Sequence, residues 1–183
     1  LRLLISQNAD ISGMYLRALP IATTHATRDD GATYRALAIS LEMAACPMSQ
    51  FRRVTDTLTV SPQIVEADLA RAAAEGFALV INNRPDGEEP GQPTAATLET
   101  AALALGLNYL HVPVRGGPGP EQVEAVRTAI ESAGGPVLAF CRSGTRSIVT
   151  WALGQALAGD TDRETLVDQG AAAGYDLSGV LPR

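Results

Sequence analysis

Cys141-Arg142-Ser143-Gly144-Thr145-Arg146-Ser147 joins an apolar run, Pro136 to Phe140, to a helix-forming stretch from Ile148 to Leu157. A buried strand that ends in cysteine, turns through small residues and enters a helix gathers backbone N–H groups around one point. The helix dipole adds partial positive charge there. A thiol at that point is favoured as thiolate, the form that acts as a nucleophile. Arg146 supplies a fixed cation with a planar fork of donors for a bound anion. Cys141 and Arg146 are therefore the expected catalytic pair. Arg142, Ser143, Gly144, Thr145 and Ser147 complete an expected anion-binding loop, its hydroxyls able to donate to the sulfur or to the anion. Ser147 is also the expected N-cap of the helix that follows. A lone cysteine beside a loop arginine is more often structural; the order strand, Cys, Ser-Gly, Arg, helix points to chemistry.

Spacing narrows the chemistry. Four residues separate Cys141 from Arg146. Cysteine-dependent phosphatases carry the same constellation with one residue more, which gives a wider cradle for a tetrahedral phosphoryl group. The shorter loop resembles the active-site loop of many rhodanese-type sulfurtransferases. A narrower cradle suits a terminal sulfur or a small sulfur oxyanion, so loop length favours a persulfide on Cys141 over a phosphocysteine.

Elements on either side must hold this loop in place. Thr57–Val60 reads as a strand, with Ser61-Pro62 opening a helix striped by Ile64, Ala67, Leu69, Ala72 and Ala73 and stopped at Gly76. Phe77–Asn82 is a continuous apolar strand, the pattern of a sheet covered on both faces. A helix over about 94–105, capped by Thr94, a strand over 108–114 and a helix over about 120–133 precede the strand at 136–140. Helices over about 147–158 and 162–173 complete the chain. Alternating strands and helices imply a three-layer α/β fold, a mostly parallel sheet with helices on both faces. Ligands in such sheets sit at the carboxyl ends of the strands, where Cys141 lies.

Two further loops open at that edge. Residues 82–93 form a long connection in which Arg84 and Asp86 are candidates for ordering the site or touching substrate. The alternative is a rigid turn held by Asp86 and Gly87, with Arg84 paired to Glu88. In the loop at 115–120, where tyrosine-phosphatase-like enzymes present a general-acid aspartate, the nearest acid is Glu121, in a first helical turn where a carboxylate simply answers the dipole. A phosphoester leaving group needs a proton, so this loop lacks a part a phosphatase uses, with Asp86 of the neighbouring loop as the alternative source. His111, inside a strand, reads as a packed, hydrogen-bonded residue, and Trp151 as core.

Composition excludes several classes. The 183 residues are 46% hydrophobic and 19% charged, enough for one domain with a full core. A net charge of −6 and no basic cluster argue against nucleic-acid binding. No apolar stretch is long enough to span a bilayer. Two cysteines and two histidines, far apart, give no metal-ligand set and no disulfide framework, and a reducing cytoplasm is expected. No dissociable cofactor is required. Residues 22–31 have neither helical nor strand period, although 37–45 could form a helix, and residues 1–47 read as a poorly structured N-terminal extension ahead of a native start at Met48; the alternative is an arm packed on the catalytic domain, which spans 48–183.

Phe51–Asp56, Ile81–Pro93, His111–Val114 and Cys141–Ser147, in that order, resemble segments of the bacterial beta-lactamase hydrolase-like protein family, specifically its phosphatase-like domain. The likeness covers about residues 50–180. It implies a fold similar to cysteine-dependent protein tyrosine and dual-specificity phosphatases, with Cys141 as nucleophile and Arg146 as anion clamp. In that family the domain occurs alone or fused to a metallo-beta-lactamase-like sulfur dioxygenase, so a sulfur dioxygenase is the implied partner. The metal ligands of that fused domain are missing here. Three functions follow as expectations. The first is a sulfurtransferase acting on a small sulfur donor and a thiol acceptor; the second is a phosphatase acting on a phosphoester; the third is a non-catalytic anion- or protein-binding module.

Overall fold

The computed structural model describes residues 49–159 and 161–182. The expected extension over residues 1–47 lies outside them, as does Cys46. Five strands form one sheet in the order β1-β2-β5-β3-β4: β1 (Arg52–Arg53), β2 (Leu58–Ser61), β3 (Leu79–Asn82), β4 (Asn108–His111) and β5 (Val137–Phe140). All ladders are parallel except the short edge pairing of β1 with β2. Ser61, Phe140, Asn82 and His111 stand level across β2, β5, β3 and β4, so these strands end on one line and their loops share one edge.

Among the described residues five helices cover the two faces: α1 (Glu66–Ala74), α2 (Ala95–Ala104), α3 (Pro120–Ser132), α4 (Thr145–Ala158) and α5 (Arg163–Ala172). The period-two alternation of β5 divides the core between them. Val137 and Ala139 pack with Val126 of α3, Ile148, Trp151 and Ala152 of α4, and Leu166 of α5. Leu138 and Phe140 face the other way, with Leu69 and Ala72 of α1 and Leu98 and Ala102 of α2. The three-layer α/β expectation holds, and Trp151 is core, only 6% exposed.

Two helix starts differ from the sequence reading, and both differences bear on the site. Ser61 does not cap a helix; it ends β2 opposite Phe140. Helix α1 begins at Glu66, where the Asp68 carboxylate accepts from the Val65 N–H at 2.9 Å. Residues 62–65 instead run beside the cysteine loop, and the Gln63 N–H donates to the Arg142 carbonyl at 3.3 Å. Helix α4 starts two residues before Ser147, at Thr145, because Gly144 turns the chain with φ +90°. Only glycine takes that conformation at little cost. Ser147 therefore lies inside the first turn, buried, with its hydroxyl unpartnered among the described residues.

Candidate functional site

Cys141 follows the last residue of β5 and is a buried free thiol. The Gly144 N–H points back at its sulfur, 3.2 Å away, at the N-terminus of α4. The loop between them is held from two sides. Gln63 binds the Arg142 carbonyl, and the Tyr175 hydroxyl donates to the Ser143 carbonyl at 3.1 Å. Within the loop, the Ser143 hydroxyl donates to that of Thr145 at 3.1 Å. Tyr175 is itself seated under the Arg52 guanidinium, 5.1 Å from the ring centroid, and burial pushes its phenol above the ordinary range.

Arg146, the second residue of α4, is gripped on its outer side. Glu88 takes both of its terminal nitrogens, at 2.7 and 2.8 Å, and the Val114 carbonyl accepts from one of them at 2.7 Å. The bidentate geometry fixes the guanidinium plane as well as its position. Glu88 also accepts from Arg84 Nε at 2.9 Å. Hydrogen bonding to Arg146 first, and then to Arg84, outweighs burial and holds the Glu88 carboxyl down at about 2. The neighbouring Glu89 bridges Arg84 and Arg142, at 2.8 and 2.6 Å, and is likewise lowered, chiefly by Arg84. The cations of the cradle are therefore already matched by carboxylates.

Arg84 resolves in favour of the rigid turn. Its side chain is 2% exposed and binds Glu88, Glu89 and the Gln63 side chain, so it ties its own loop to the segment at 62–65. Asp86 accepts from the Ala95 N–H at 2.8 Å and so holds the start of α2, beside the Thr94 hydroxyl that caps Thr97. His111 is hydrogen-bonded as expected, through Nε2 to the Arg84 carbonyl at 2.9 Å. Glu121 sits in the first turn of α3. Among the described residues no set of three His, Cys, Asp or Glu side chains is placed to hold a metal ion.

The structure thus brings Cys141, Arg142, Ser143, Gly144, Thr145 and Arg146 together. It places Arg84 and Asp86 in the supporting framework. Sequence reasoning missed four parts: Glu88 as the partner of Arg146, Glu89 as the partner of Arg142, the Gln63 strap, and Tyr175. Adjacent glutamates in a loop that also carries a buried arginine were a readable signal. The position of Tyr175, thirty-odd residues downstream, had none.

The family described as "Beta-lactamase hydrolase-like protein, phosphatase-like domain" matches residues 50–158. The chain belongs to this family. A beta-lactamase hydrolase-like protein of Agrobacterium fabrum is 40% identical over 126 residues, covering 68% of this chain and 29% of that protein. The chain thus spans less than a third of the curated relatives it matches. Among solved structures, a putative phosphatase from Neisseria meningitidis is 33% identical with a TM-score of 0.63, over 70% of this chain and 91% of that one. Kinase-associated phosphatase, 16% identical with a TM-score of 0.56 over 73% and 89% of the two chains, shares the fold alone. Fold and family are those of phosphatase-like, cysteine-dependent enzymes. No helix among the described residues is long and apolar enough to cross a membrane.

Proposed function

We propose that the protein is a cysteine-dependent sulfurtransferase working through a persulfide on Cys141. The observation that carries this reading is Glu88. The carboxyl group facing the anion clamp is ionised, fixed between Arg146 and Arg84, and so is no proton donor at neutral pH. Asp86 spends one carboxylate oxygen on the Ala95 N–H at the start of α2. An alkoxide or phenoxide leaving group needs a proton in the transition state, whereas sulfite or a thiolate leaves as a stable anion without one.

The steps balance without an oxidant. Cys141 thiolate attacks the outer sulfur of thiosulfate; the sulfur–sulfur bond breaks and sulfite departs with the electron pair, leaving a Cys141 persulfide anion. The Gly144 N–H and the N-terminus of α4 stabilise that charge. An acceptor thiolate then attacks the outer sulfur, a new persulfide leaves, and Cys141 returns as thiolate. Arg146 and Arg142 orient the donor's anionic end. Their pairing with Glu88 and Glu89 leaves a cradle of low net positive charge, better matched to a persulfide than to a phosphate dianion. A sulfur dioxygenase would consume the persulfide product and is the partner this reading suggests.

The second reading is a phosphatase with a phosphocysteine intermediate. The 33% identical relative described as a putative phosphatase favours it. Intact mass after incubation with thiosulfate or glutathione persulfide separates the two. The mass should rise by one sulfur atom in the wild type and stay constant in Cys141→Ser, which should keep its fold and lose turnover. Efficient hydrolysis of aryl phosphates through Cys141, with no sulfur taken up from any donor, would put the phosphatase reading in front.

A further inference from the structure

A polar cavity of about 500 Å³ opens beside the cradle, lined by Pro85, Asp86, His111, Pro113, Arg115 and Gln122. None of these belongs to the cysteine loop. Two of them adjoin residues that hold the clamp, one directly and one through Glu88. Arg115 follows Val114, whose carbonyl binds Arg146, and Pro85 follows Arg84, which shares Glu88 with Arg146. One residue of extended chain is about 3.5 Å, so the cavity begins close to the groups that hold the Arg146 guanidinium.

Its lining is asymmetric in hydrogen-bonding character. Arg115 is exposed and, among the described residues, makes no ion pair and no hydrogen bond, unlike Arg84, Arg142 and Arg146. Gln122 uses its carbonyl oxygen to accept from the Gly119 N–H at 2.8 Å, which fixes the side chain and leaves both amide protons without a partner among those residues. These donors come from the β4–α3 loop and the first turn of α3, where Glu121 is exposed. In the loop after β3, Asp86 spends one oxygen on the Ala95 N–H, and at the end of β4, His111 spends Nε2 on the Arg84 carbonyl. The cavity thus offers a planar cation and an oriented amide on one side and acceptors on the other. A carboxylate fits the first set: it takes the guanidinium fork in two parallel bonds and has lone pairs left for an amide N–H.

We infer that this cavity holds the non-reacting end of the sulfur-bearing substrate, and that Arg115 and Gln122 select a carboxylate there. The substrate class is a small thiol, or its persulfide, carrying a carboxylate a few bonds from sulfur. The inference rests on the reading of Cys141 as the atom that exchanges sulfur. Where a phosphatase loop presents an acid to the leaving group, this loop presents a cation to hold the leaving group's far end.

Equilibrium binding and sulfur uptake, measured separately, test the two layers. Titration calorimetry would compare 3-mercaptopropionate with 2-mercaptoethanol, a thiol of similar size without the charge, on the wild type and on Arg115→Ala. The wild type should prefer the carboxylate at least tenfold, and Arg115→Ala should abolish the preference. Gln122→Ala should weaken it severalfold. Turnover with 3-mercaptopropionate as acceptor should show a matching rise in KM with kcat little changed, while the rate of loading by thiosulfate, which has no tail to anchor, should be equal in wild type and Arg115→Ala. Equal binding of the two thiols by the wild type, or an unchanged preference in Arg115→Ala, overturns the cavity assignment. Absence of sulfur uptake with an intact carboxylate preference would leave the cavity in place and overturn the persulfide reading instead.

Discussion

Gly144→Ala should damage the cradle in a way that a second substitution can diagnose. Gly144 has φ +90°, and a Cβ added there would overlap the Tyr175 hydroxyl oxygen, lie 2.9 Å from Cζ of the same ring and 3.3 Å from the Ser61 carbonyl oxygen. Left-handed backbone costs a non-glycine residue about 1–2 kcal/mol. The ring cannot step aside freely, since Tyr175 is only 9% exposed and packed beneath Arg52. Its hydroxyl would be forced off the Ser143 carbonyl, a loss of about 1 kcal/mol. The sum is about 2–3 kcal/mol, and a chain of this size would melt roughly 5–10 °C lower. Tyr175→Phe alone removes the hydroxyl and should cost about 1 kcal/mol. In the double variant that bond is lost only once, so its stability should match Gly144→Ala alone, a coupling of about 1 kcal/mol. Urea unfolding of the four proteins gives the cycle, and alkylation of Cys141 gives the functional counterpart. Strict additivity, or a Gly144→Ala protein as stable as wild type, would show that Tyr175 is not seated against this turn.

Two other substitutions follow from the ion pairs and caps. Glu88→Gln keeps the shape but removes the charge opposite Arg146; stability should fall by about 1 kcal/mol, while affinity for sulfate or vanadate, read by calorimetry, should rise severalfold because the clamp's charge is no longer matched. Because the folded-state Glu88 is held at about 2, below its ordinary 4.5, its contribution is full above pH 4.5 and lost as pH falls through about 2. Urea midpoints should show that acid decline in the wild type and less of it in Glu88→Gln. Asp68→Ala removes an acceptor shared by the Val65 N–H, the Ser49 N–H and the Ser49 hydroxyl, at 2.9, 3.0 and 2.8 Å. It should cost about 2 kcal/mol, several degrees in melting temperature, through loss of the α1 cap.

What could be read beforehand was what depends on local pattern. The run Leu79–Asn82 is apolar without alternation because both faces of β3 are covered, and that signal survives without coordinates. Thr94 and Gly76 marked helix ends by their own chemistry. Cys141 and Arg146 were legible because the chain brings them together over a few residues. The failures were of two kinds. Ser61-Pro62 has the composition of a helix start, but the next three residues are needed to strap Gln63 to Arg142 and Arg84, a tertiary demand no local rule encodes. Ser147 looked like a cap because a left-handed Gly144 that advances the helix cannot be told from an ordinary loop glycine in sequence alone. Glu88 and Tyr175 meet the cradle from elements distant in the chain: the pairing of β3 with β5 sets the Glu88 loop beside it, and the segment after α5 brings Tyr175.

That sheet order has a consequence for how the site comes into being. β5, which leads into Cys141, lies between β2 and β3, and these two earlier strands share no ladder with each other. Until residues 137–140 insert, the chain before them can assemble only a β1–β2 hairpin and a separate β3–β4 pair, two fragments with exposed edges. Closing the sheet and bringing the cysteine to its position are therefore one non-local event. A half-folded chain exposes no organised reactive thiol, and the amides of β5 should be among the slowest in the molecule to exchange with deuterium. Chemical competence is tied to completion of the fold.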